Sequence, residues 1–294
     1  GQSMYEVAEY TSVNNLGTAV LLEALVEQPV RRLVVASSMS IYGEGLYRSK
    51  ASPTLGASEA EQVHDHIVRS ADQLARGEWE PRTADGRSLT PIPTPETKSP
   101  TLASVYALSK YDQERMCLLV GAAYKIPTVA LRFFNVYGPR QALSNPYTGV
   151  LAIFAARFLN DKAPLLFEDG QQRRDFVHVR DVATACRLAL EVDAAAGGVF
   201  NIGSGRALTI REVAERMARV LGRDIAPEVT GQYRVGDIRH CTADIGLARR
   251  VLGYRPTVEF DAGLTELAGW LAEQSPVDRV DDMRAELTSR GLSL

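Results

Sequence analysis

Leu33-Val34-Val35-Ala36-Ser37-Ser38-Met39-Ser40-Ile41-Tyr42-Gly43 decides how the rest of the chain is read. It begins as a valine-rich apolar run without polar alternation, the pattern of a strand buried on both faces in a parallel sheet. It ends in hydroxyl side chains and a glycine turn. Ligands of open α/β sheets sit just beyond the carboxyl ends of strands, which places Ser38 to hydrogen-bond a substrate oxygen. A turn serine that satisfies local backbone is the plainer alternative.

Working outward, helix-compatible spacing covers Met4 to Glu27 and stops near Gln28-Pro29. Downstream, the pattern predicts a helix over Ala103–Lys125 and a second buried strand over Pro127–Phe133. Helices at Leu151–Leu159 and Asp181–Val192 follow, then a strand at Val199–Gly203. Thr209-Ile210-Arg211-Glu212 has capping-box spacing and opens a helix that stops at Gly222. Helices at about 245–252 and 262–272 close the domain. Helices alternating with short apolar strands predict a doubly wound α/β fold. Between Gly45 and Pro93 charged, Gly and Pro residues are frequent, so this stretch reads as an insertion over the main body. It is expected to be partly ordered at best, with one helix around Ala60–Leu74.

The 294 residues are 45% hydrophobic and 23% charged, enough apolar material for a sizeable core. A net charge of −3 gives no electrostatic basis for a nucleic-acid or membrane partner. No apolar run reaches the ~18 residues of a membrane span, and the first residues lack a signal-peptide pattern. Cys117, Cys186 and Cys241 are scattered among apolar residues, as expected of buried thiols in a reducing compartment. A cytoplasmic location is expected. His64-Asp65-His66 has no further ligand nearby, so a solvated pair is expected there and no metal.

Tyr106-Ala107-Leu108-Ser109-Lys110 is the strongest chemical signal. Positions i and i+4 share a helix face, so Tyr106 and Lys110 lie one above the other. A phenol, with a reference pKa near ~10, is a poor base at neutral pH. A lysine ammonium held close favours the phenolate and makes a workable acid/base group for a sugar hydroxyl. The same spacing also occurs on many exposed helices, so the pair alone names no chemistry.

The order of motifs does. Ser37-Ser38 followed by Tyr42-Gly43, then Tyr106 to Lys110, then Leu131-Arg132-Phe133-Phe134-Asn135-Val136-Tyr137-Gly138-Pro139 resembles the extended short-chain dehydrogenase/reductase family, and within it the nucleotide-sugar epimerases and dehydratases. Asn14-Asn15-Leu16-Gly17-Thr18, the Arg173–Asp181 segment, Arg234-Val235-Gly236-Asp237 and Leu252-Gly253-Tyr254-Arg255-Pro256 match in the same order. The insertion, with the wording at 1–5 and 140–147, is most similar to the bacterial branch that includes dTDP-L-rhamnose 4-epimerases.

The resemblance implies a Rossmann-like doubly wound parallel sheet, its N-terminal strands missing, with a smaller C-terminal substrate-binding α/β subdomain. It implies a partial dinucleotide-binding domain over 1–140, interrupted at about 45–93, and a mostly sugar-nucleotide-binding subdomain over 141–274. The 175–203 segment returns to the sheet, and 275–294 is a tail. Ser38, Tyr106 and Lys110 are implied as the catalytic trio. Asn14, Ser37, Tyr106, Lys110 and Phe133 are implied to contact NAD. Ser38, Asn135, Arg174, Arg234 and Asp237 are implied to hold a nucleotide-diphosphate sugar, and guanidinium forks do suit diphosphate oxygens. A homodimer through the helices at about 4–27 and 103–125 is also implied.

The 4,6-dehydratases of the family have an Asp-Glu pair just after the catalytic hydroxyl residue, and decarboxylating relatives place a glutamate there. This chain has Met39-Ser40, with no ionisable group for elimination. The implied reaction is therefore 4-epimerisation through a 4-keto sugar, of dTDP-L-rhamnose type or on a UDP-hexose or uronic acid. A dehydratase or reductase on the same scaffold, or a non-catalytic nucleotide-binding relative, stands as the alternative. The family's Gly-x-x-Gly-x-x-Gly turn does not occur in the 294 residues, and Gly203-Ser204-Gly205 reads as an ordinary turn. The expectation is that these residues are part of a longer protein, with the Leu33–Ser37 strand otherwise an apolar edge.

Overall fold

The structure is a computed structural model that describes residues 2–49, 61–142, 149–234, 237–274 and 280–292. Helix α1 (Val7–Tyr10) continues through a π-helical stretch over Thr11–Leu16 into α2 (Gly17–Glu27). Wider π turns recur at functional sites. Here the turn brings two asparagines to the next helix in space: Asn14 Nδ2 donates to Ser109 Oγ (3.0 Å) and Asn15 Nδ2 to Asp112 Oδ2 (2.7 Å).

The valine-rich run is strand β1 (Leu33–Ser38), and Ser38 caps the 3₁₀ turn Met39–Tyr42 by accepting from Ser40 N (3.1 Å). Gly43 follows at φ +60°, where a Cβ would lie 2.5 Å from Thr101 O, so only glycine makes this turn.

The 45–93 insertion differs from expectation. Its described residues form an antiparallel sheet of β2 (Leu46–Ser49), β3 (Gln62–His64) and, after the short helix α3 (Ala71–Ala75), β4 (Thr90–Ile92), in the order β3-β2-β4. The helix expected over 60–74 is thus a strand followed by one short helix, and its first residue, Ala60, lies outside the described residues. The reason is pairing across the gap: Arg48 meets Val63, and Tyr47, Ile67 and Leu89 form a small core of their own.

Beyond it come α4 (Val105–Ala123), β5 (Thr128–Phe133), β6 (Asn135–Tyr137), α5 (Val150–Leu159), β7 (Leu165–Leu166) and β8 (Arg173–His178). Next are α6 (Val179–Glu191), β9 (Val199–Ile202), β10 (Ala207–Thr209), α7 (Ile210–Val220), β11 (Glu228–Val229) and β12 (His240–Cys241). Helices α8 (Gly246–Val251), α9 (Phe260–Leu271) and α10 (Val280–Ser289) end the described chain. The expected capping box is present, with Thr209 Oγ1 accepting from Glu212 N and Glu212 Oε2 from Thr209 N.

β1, β5 and β9 form a parallel sheet in that order, with Leu33 opposite Thr128 and Ala130 opposite Val199. Its two faces explain the unalternating strands. Val129 and Leu131 of β5 pack toward α6 and α8, whereas Ala130, with Val35 of β1, packs toward Leu22 of α2 and Cys117 of α4. A second sheet joins β6 and β12 in parallel and β10 in antiparallel to β8. Its core lies under α5, α7 and α9, with Phe154, Met217 and Leu267 at its centre. The 275–294 stretch contains a helix whose Val280 and Leu287 pack on Leu165, with the Arg290 guanidinium 4.2 Å above the Tyr5 ring. No helix among the described residues is long and apolar enough to cross a membrane.

One buried ion pair ties α4 to the sheet. Arg132 of β5 meets Glu114 of α4 with both arms, Nε to Oε2 (2.9 Å) and Nη2 to Oε1 (2.7 Å). Ser37 Oγ donates to the same carboxylate (2.6 Å), Arg132 Nη1 donates to Tyr42 Oη (2.8 Å), and Tyr42 Oη donates to Asn201 Oδ1 (2.7 Å). Removing one partner leaves a charge uncompensated in the interior, so Arg132→Leu should lower stability by about 3–5 kcal/mol in denaturant titration. The double change Arg132→Leu with Glu114→Leu should recover most of that loss; no recovery would contradict the account.

The insertion is held by charge as well. Arg239, wholly buried, donates to Glu80, Glu168 and Asp169. His240 Nδ1 accepts from Arg173 N (3.1 Å) and Nε2 meets Glu80 Oε2 (2.9 Å), the pattern of a neutral imidazole. Burial pulls His240 below 6.5. Burial alone would raise Glu80, but hydrogen bonds from His240 and Arg239 outweigh it and bring the carboxyl from 4.5 to about 2. Both groups bind their proton more readily when unfolded. Stability they contribute is therefore lost on acidification, beginning below 6.5 for His240 and below 4.5 for Glu80. With Trp270→Phe leaving Trp79 as the one tryptophan, Trp79 emission should be constant above neutrality and shift as the pH falls through those windows. A flat signal down to pH ~4 would exclude the His240 contribution.

Candidate active site

A cavity of about 610 Å³ opens where the carboxyl ends of β1 and β5 meet α5 and the second sheet. Ser38, Tyr106, Phe133, Asn135, Arg174, Arg234 and Asp237, singled out from the sequence, all line it. Residues 38 to 237 thus converge, and Ser38, Phe133 and Asn135 do so because parallel strands end on one edge and hand their next residues to the same crevice. Ser38 and Met39 follow β1; Phe133, Phe134 and Asn135 follow β5.

Tyr106 enters from the first turn of α4, whose start is set by Ser104 Oγ accepting from Ala107 N (3.1 Å). Lys110 lies one turn on, is not among the lining residues, and donates from Nζ to Gln113 Oε1. Burial pulls its amine below the ordinary lysine value. Gln113 in turn donates to Thr18 Oγ1 (2.8 Å), so α2 supports this part of α4. Tyr10 stands edge-on to Tyr106 with ring centroids 6.2 Å apart, and its hydroxyl donates to Gln2 Oε1 (3.1 Å).

Asn14 and Ser37 are also not among the lining residues. Asn14 uses its amide N–H on Ser109 and keeps its carbonyl oxygen as an acceptor, whereas the Ser37 hydroxyl is committed to Glu114.

The arginines form a charged group with Asp237. Arg234 Nη2 reaches Asp237 Oδ2 (3.0 Å), Arg174 Nη2 lies 3.6 Å from Oδ1, and the Arg234 guanidinium sits 4.5 Å over the Phe167 ring. Burial would raise the Asp237 carboxyl, but Arg234, Arg174 and Arg69 outweigh it and hold it below the usual range. The Asp237 carboxylate thus lies between two like-charged guanidinium groups, and Arg174 is also held by the carbonyls of Arg173, Ile238 and Arg239. Asp175 turns away from Arg174: it is wholly buried and accepts from Ser204 N (2.6 Å), Ser204 Oγ (2.7 Å) and Gly205 N (2.8 Å).

Four buried polar atoms on lining residues have no hydrogen-bond partner among the described residues: Asn135 Oδ1, Gln141 Nε2, Gln172 Oε1 and Arg234 Nε. Buried polar groups are nearly always paired, so this set marks a place for a polar ligand. Gln141 and Gln172 were not recognisable as site residues from the sequence, although both sit inside or beside segments that carried the motif matches. Of the His64-Asp65-His66 run, His64 Nε2 meets Ser49 Oγ (2.8 Å) while Asp65 lies 3.5 Å from Lys98 Nζ, so the two side chains serve different partners.

Residues 85–203 match the NAD dependent epimerase/dehydratase family. Over 277 residues the chain is 34% identical to the dTDP-L-rhamnose 4-epimerase of Burkholderia thailandensis, covering 93% of this chain and 72% of that protein. Among solved structures, the UDP-glucose 4-epimerase of Thermotoga maritima with UDP-glucose is similar at TM-score 0.72 and 29% identity, covering 92% of this chain and 73% of that one. The UDP-glucose 4-epimerase of Thermus thermophilus in complex with NAD is similar at TM-score 0.67 and 31% identity, with 93% and 74% covered.

If the Arg174 and Arg234 forks meet a diphosphate, Arg174→Ala should weaken binding of dTDP or UDP by on the order of tenfold or more in calorimetry, and binding should weaken with added salt. Unchanged affinity would remove Arg174 from the site.

Proposed function

The chain belongs to the NAD-dependent epimerase/dehydratase family, and on that footing we propose that it catalyses 4-epimerisation of a nucleotide-diphosphate sugar through a 4-keto intermediate. The substrate is a dTDP-L-rhamnose-like sugar nucleotide or a UDP-hexose. The observation that carries this reading is the convergence, in one cavity, of Tyr106 and Ser38 with two arginines and four polar atoms that have no partner among the described residues. Acid/base groups and diphosphate donors in a single crevice suit a sugar nucleotide.

NAD is the cofactor of the family. The residues present fit it: of three ammonium donors on Lys110, one goes to Gln113, which leaves others for ribose hydroxyls. Tyr106, Lys110 and Phe133 are assigned to its nicotinamide side, with Asn14 offering its carbonyl oxygen. When bound, NAD supplies the acceptor and then the donor of hydride at the sugar carbon.

The chain's own part is proton handling and placement. Tyr106 acts as the phenolate: its Oη takes the proton of the 4-hydroxyl, becoming the phenol, and returns that proton when the keto oxygen is reduced. Lys110, four residues on along α4 with its Nζ on Gln113, is the charge assigned to favour the phenolate when the ligands are bound. Ser38 Oγ, already accepting from Ser40 N, keeps its own proton to donate to a substrate oxygen. Met39 and Ser40 offer no acid or base for elimination, which separates this site from a dehydratase. Arg174 and Arg234 hold the diphosphate, and Asn135, Gln141 and Gln172 offer their unpaired atoms to the ligand. In this reading residues 1–140 serve the dinucleotide and 141–274 the sugar nucleotide.

A homodimer goes with it. Val13, Leu16, Val20 and Leu119 are 60%, 62%, 58% and 61% exposed, apolar side chains of the first helical segment and α4 that a second copy would cover.

Incubated with NAD and dTDP- or UDP-sugars, the protein should yield the 4-epimer. A deoxy product or net NADH consumption would instead mark a dehydratase or reductase. Tyr106→Phe should cut turnover by about 10²- to 10⁴-fold while leaving sugar-nucleotide binding intact. Wild-type rates in that variant would overturn the mechanism.

A further inference from the structure

We propose that the 45–93 insertion belongs to the substrate site: Arg69 and Trp79 are positioning residues that fix the loop bearing Arg234 and Asp237, and so set the affinity of the cavity for a nucleoside diphosphate. The inference rests on the diphosphate reading of the two arginines given above.

The insertion is seated at both ends on one short stretch of the second sheet. Gly45 N donates to His240 O (2.8 Å), Thr94 N to Thr242 O (2.8 Å) and Asp244 N to Thr94 O (3.0 Å). A Cβ on Gly45 would lie 2.7 Å from His240 O, so the seat requires glycine. From this base the insertion reaches forward along the chain that leads into β12. Glu80 takes the buried Arg239 and His240. Arg69, its side chain only 4% exposed, donates from Nη2 to Asp237 O (2.9 Å) and from Nη1 to Glu168 Oε1 (2.7 Å). The Trp79 ring lies 6.2 Å from that of Tyr233, the residue before Arg234, and Trp79 O accepts from Arg69 Nη1 (3.3 Å).

Residues 233, 237, 239 and 240 are therefore gripped by side chains that the insertion supplies, while 234 and 237 line the cavity. The grip falls on the part of the site with the most demanding electrostatics. Arg174 and Arg234 repel each other: the Asp237 carboxylate lies between them, and Arg174 also donates to the carbonyls of Arg173, Ile238 and Arg239. The backbone of that aspartate is fixed by Arg69, and the Arg69 charge also helps keep the carboxyl ionised. Loss of Arg69 frees the stretch 237–239, on which Arg234 rests through the Asp237 carboxylate and Arg174 through the Ile238 and Arg239 carbonyls. Neither Arg69 nor Trp79 is among the lining residues, so their effect on a ligand passes through Asp237, Tyr233 and Arg234.

The test is binding of dTDP and of UDP to the whole chain, followed by calorimetry and by Trp79 emission in a Trp270→Phe background, with thermal melts alongside. Arg69→Met should weaken binding of both nucleotides by on the order of tenfold or more, and Trp79→Ala by several-fold. Arg69→Lys, which keeps the charge and one donor, should restore part of the loss. Arg48→Met, which removes the exposed Arg48–Glu61 pair on the same insertion, should bind as wild type. A merely structural Arg69 would lower the melting temperature and leave the dissociation constant of the folded protein unchanged. If Arg69→Met does not fold, the half-buried Trp79→Ala variant decides. Wild-type affinity in Arg69→Met and Trp79→Ala, or an equal loss in Arg48→Met, overturns this inference alone. A wild-type chain that binds neither nucleotide overturns the diphosphate reading and this inference with it.

Discussion

The Glu114–Arg132 pair is the constraint on which the candidate site depends. Glu114 lies one turn beyond Lys110 and two turns beyond Tyr106 on α4, while Arg132 is the penultimate residue of β5, just before Phe133 and Asn135 enter the cavity. Through Ser37 the same carboxylate reaches the end of β1, and through Tyr42 and Asn201 the arginine reaches β9. The three strands β1, β5 and β9 and the helix that carries Tyr106 and Lys110 are thus locked by one buried network. Such a pair adds little net stability against an apolar alternative, because two charges must be desolvated. Its hydrogen bonds have only one good geometry, however, and that geometry sets where Tyr106 stands relative to the strand ends.

The second sheet solves a different problem. The proposed diphosphate site places two guanidinium groups close together, and two like charges do not approach without compensation. Asp237 provides it, and the surrounding charges repeat the device one layer deeper, where Arg69 and Arg239 share Glu168. The result is a chain of alternating charges running from the cavity wall into the insertion. Each member is fixed by the next, so a surface module some distance from the reacting groups can govern how ready the forks are before a ligand arrives. Preorganisation of this kind raises affinity by removing ordering costs on binding.

The elements read correctly from the chain are those whose signal is local. Val34-Val35-Ala36 has no polar alternation and forms strand β1, but only Val35 of the three is buried; Val34 is half-buried and Ala36 exposed, so the strand is covered less fully than an unalternating apolar run predicts. Tyr106 and Lys110 share a face because four residues nearly complete a helical turn. The Thr209–Glu212 capping box is likewise closed within four residues. The insertion defeated the same approach, since β2, β3 and β4 satisfy their backbone across gaps filled by charged, Gly and Pro residues. A three-residue strand such as Gln62–His64 is too short to show a period of its own.

The sequence by itself determined the α/β alternation, the placing of Tyr106 and Lys110 four apart on α4, and seven of the residues that meet in the cavity. Those follow from periodicity and from motif order. Only the tertiary structure decided that Ser37 turns to Glu114, that Gln141 and Gln172 bring unpaired atoms to the cavity, and that Arg69 holds Asp237. The physical reason is distance along the chain. An ionised or amide side chain chooses its partner by where the fold brings it, and Arg69 and Asp237 are 168 residues apart. Composition marks Arg69 as one more charged residue in a polar stretch; burial against Glu168 and the Asp237 carbonyl makes it part of the site.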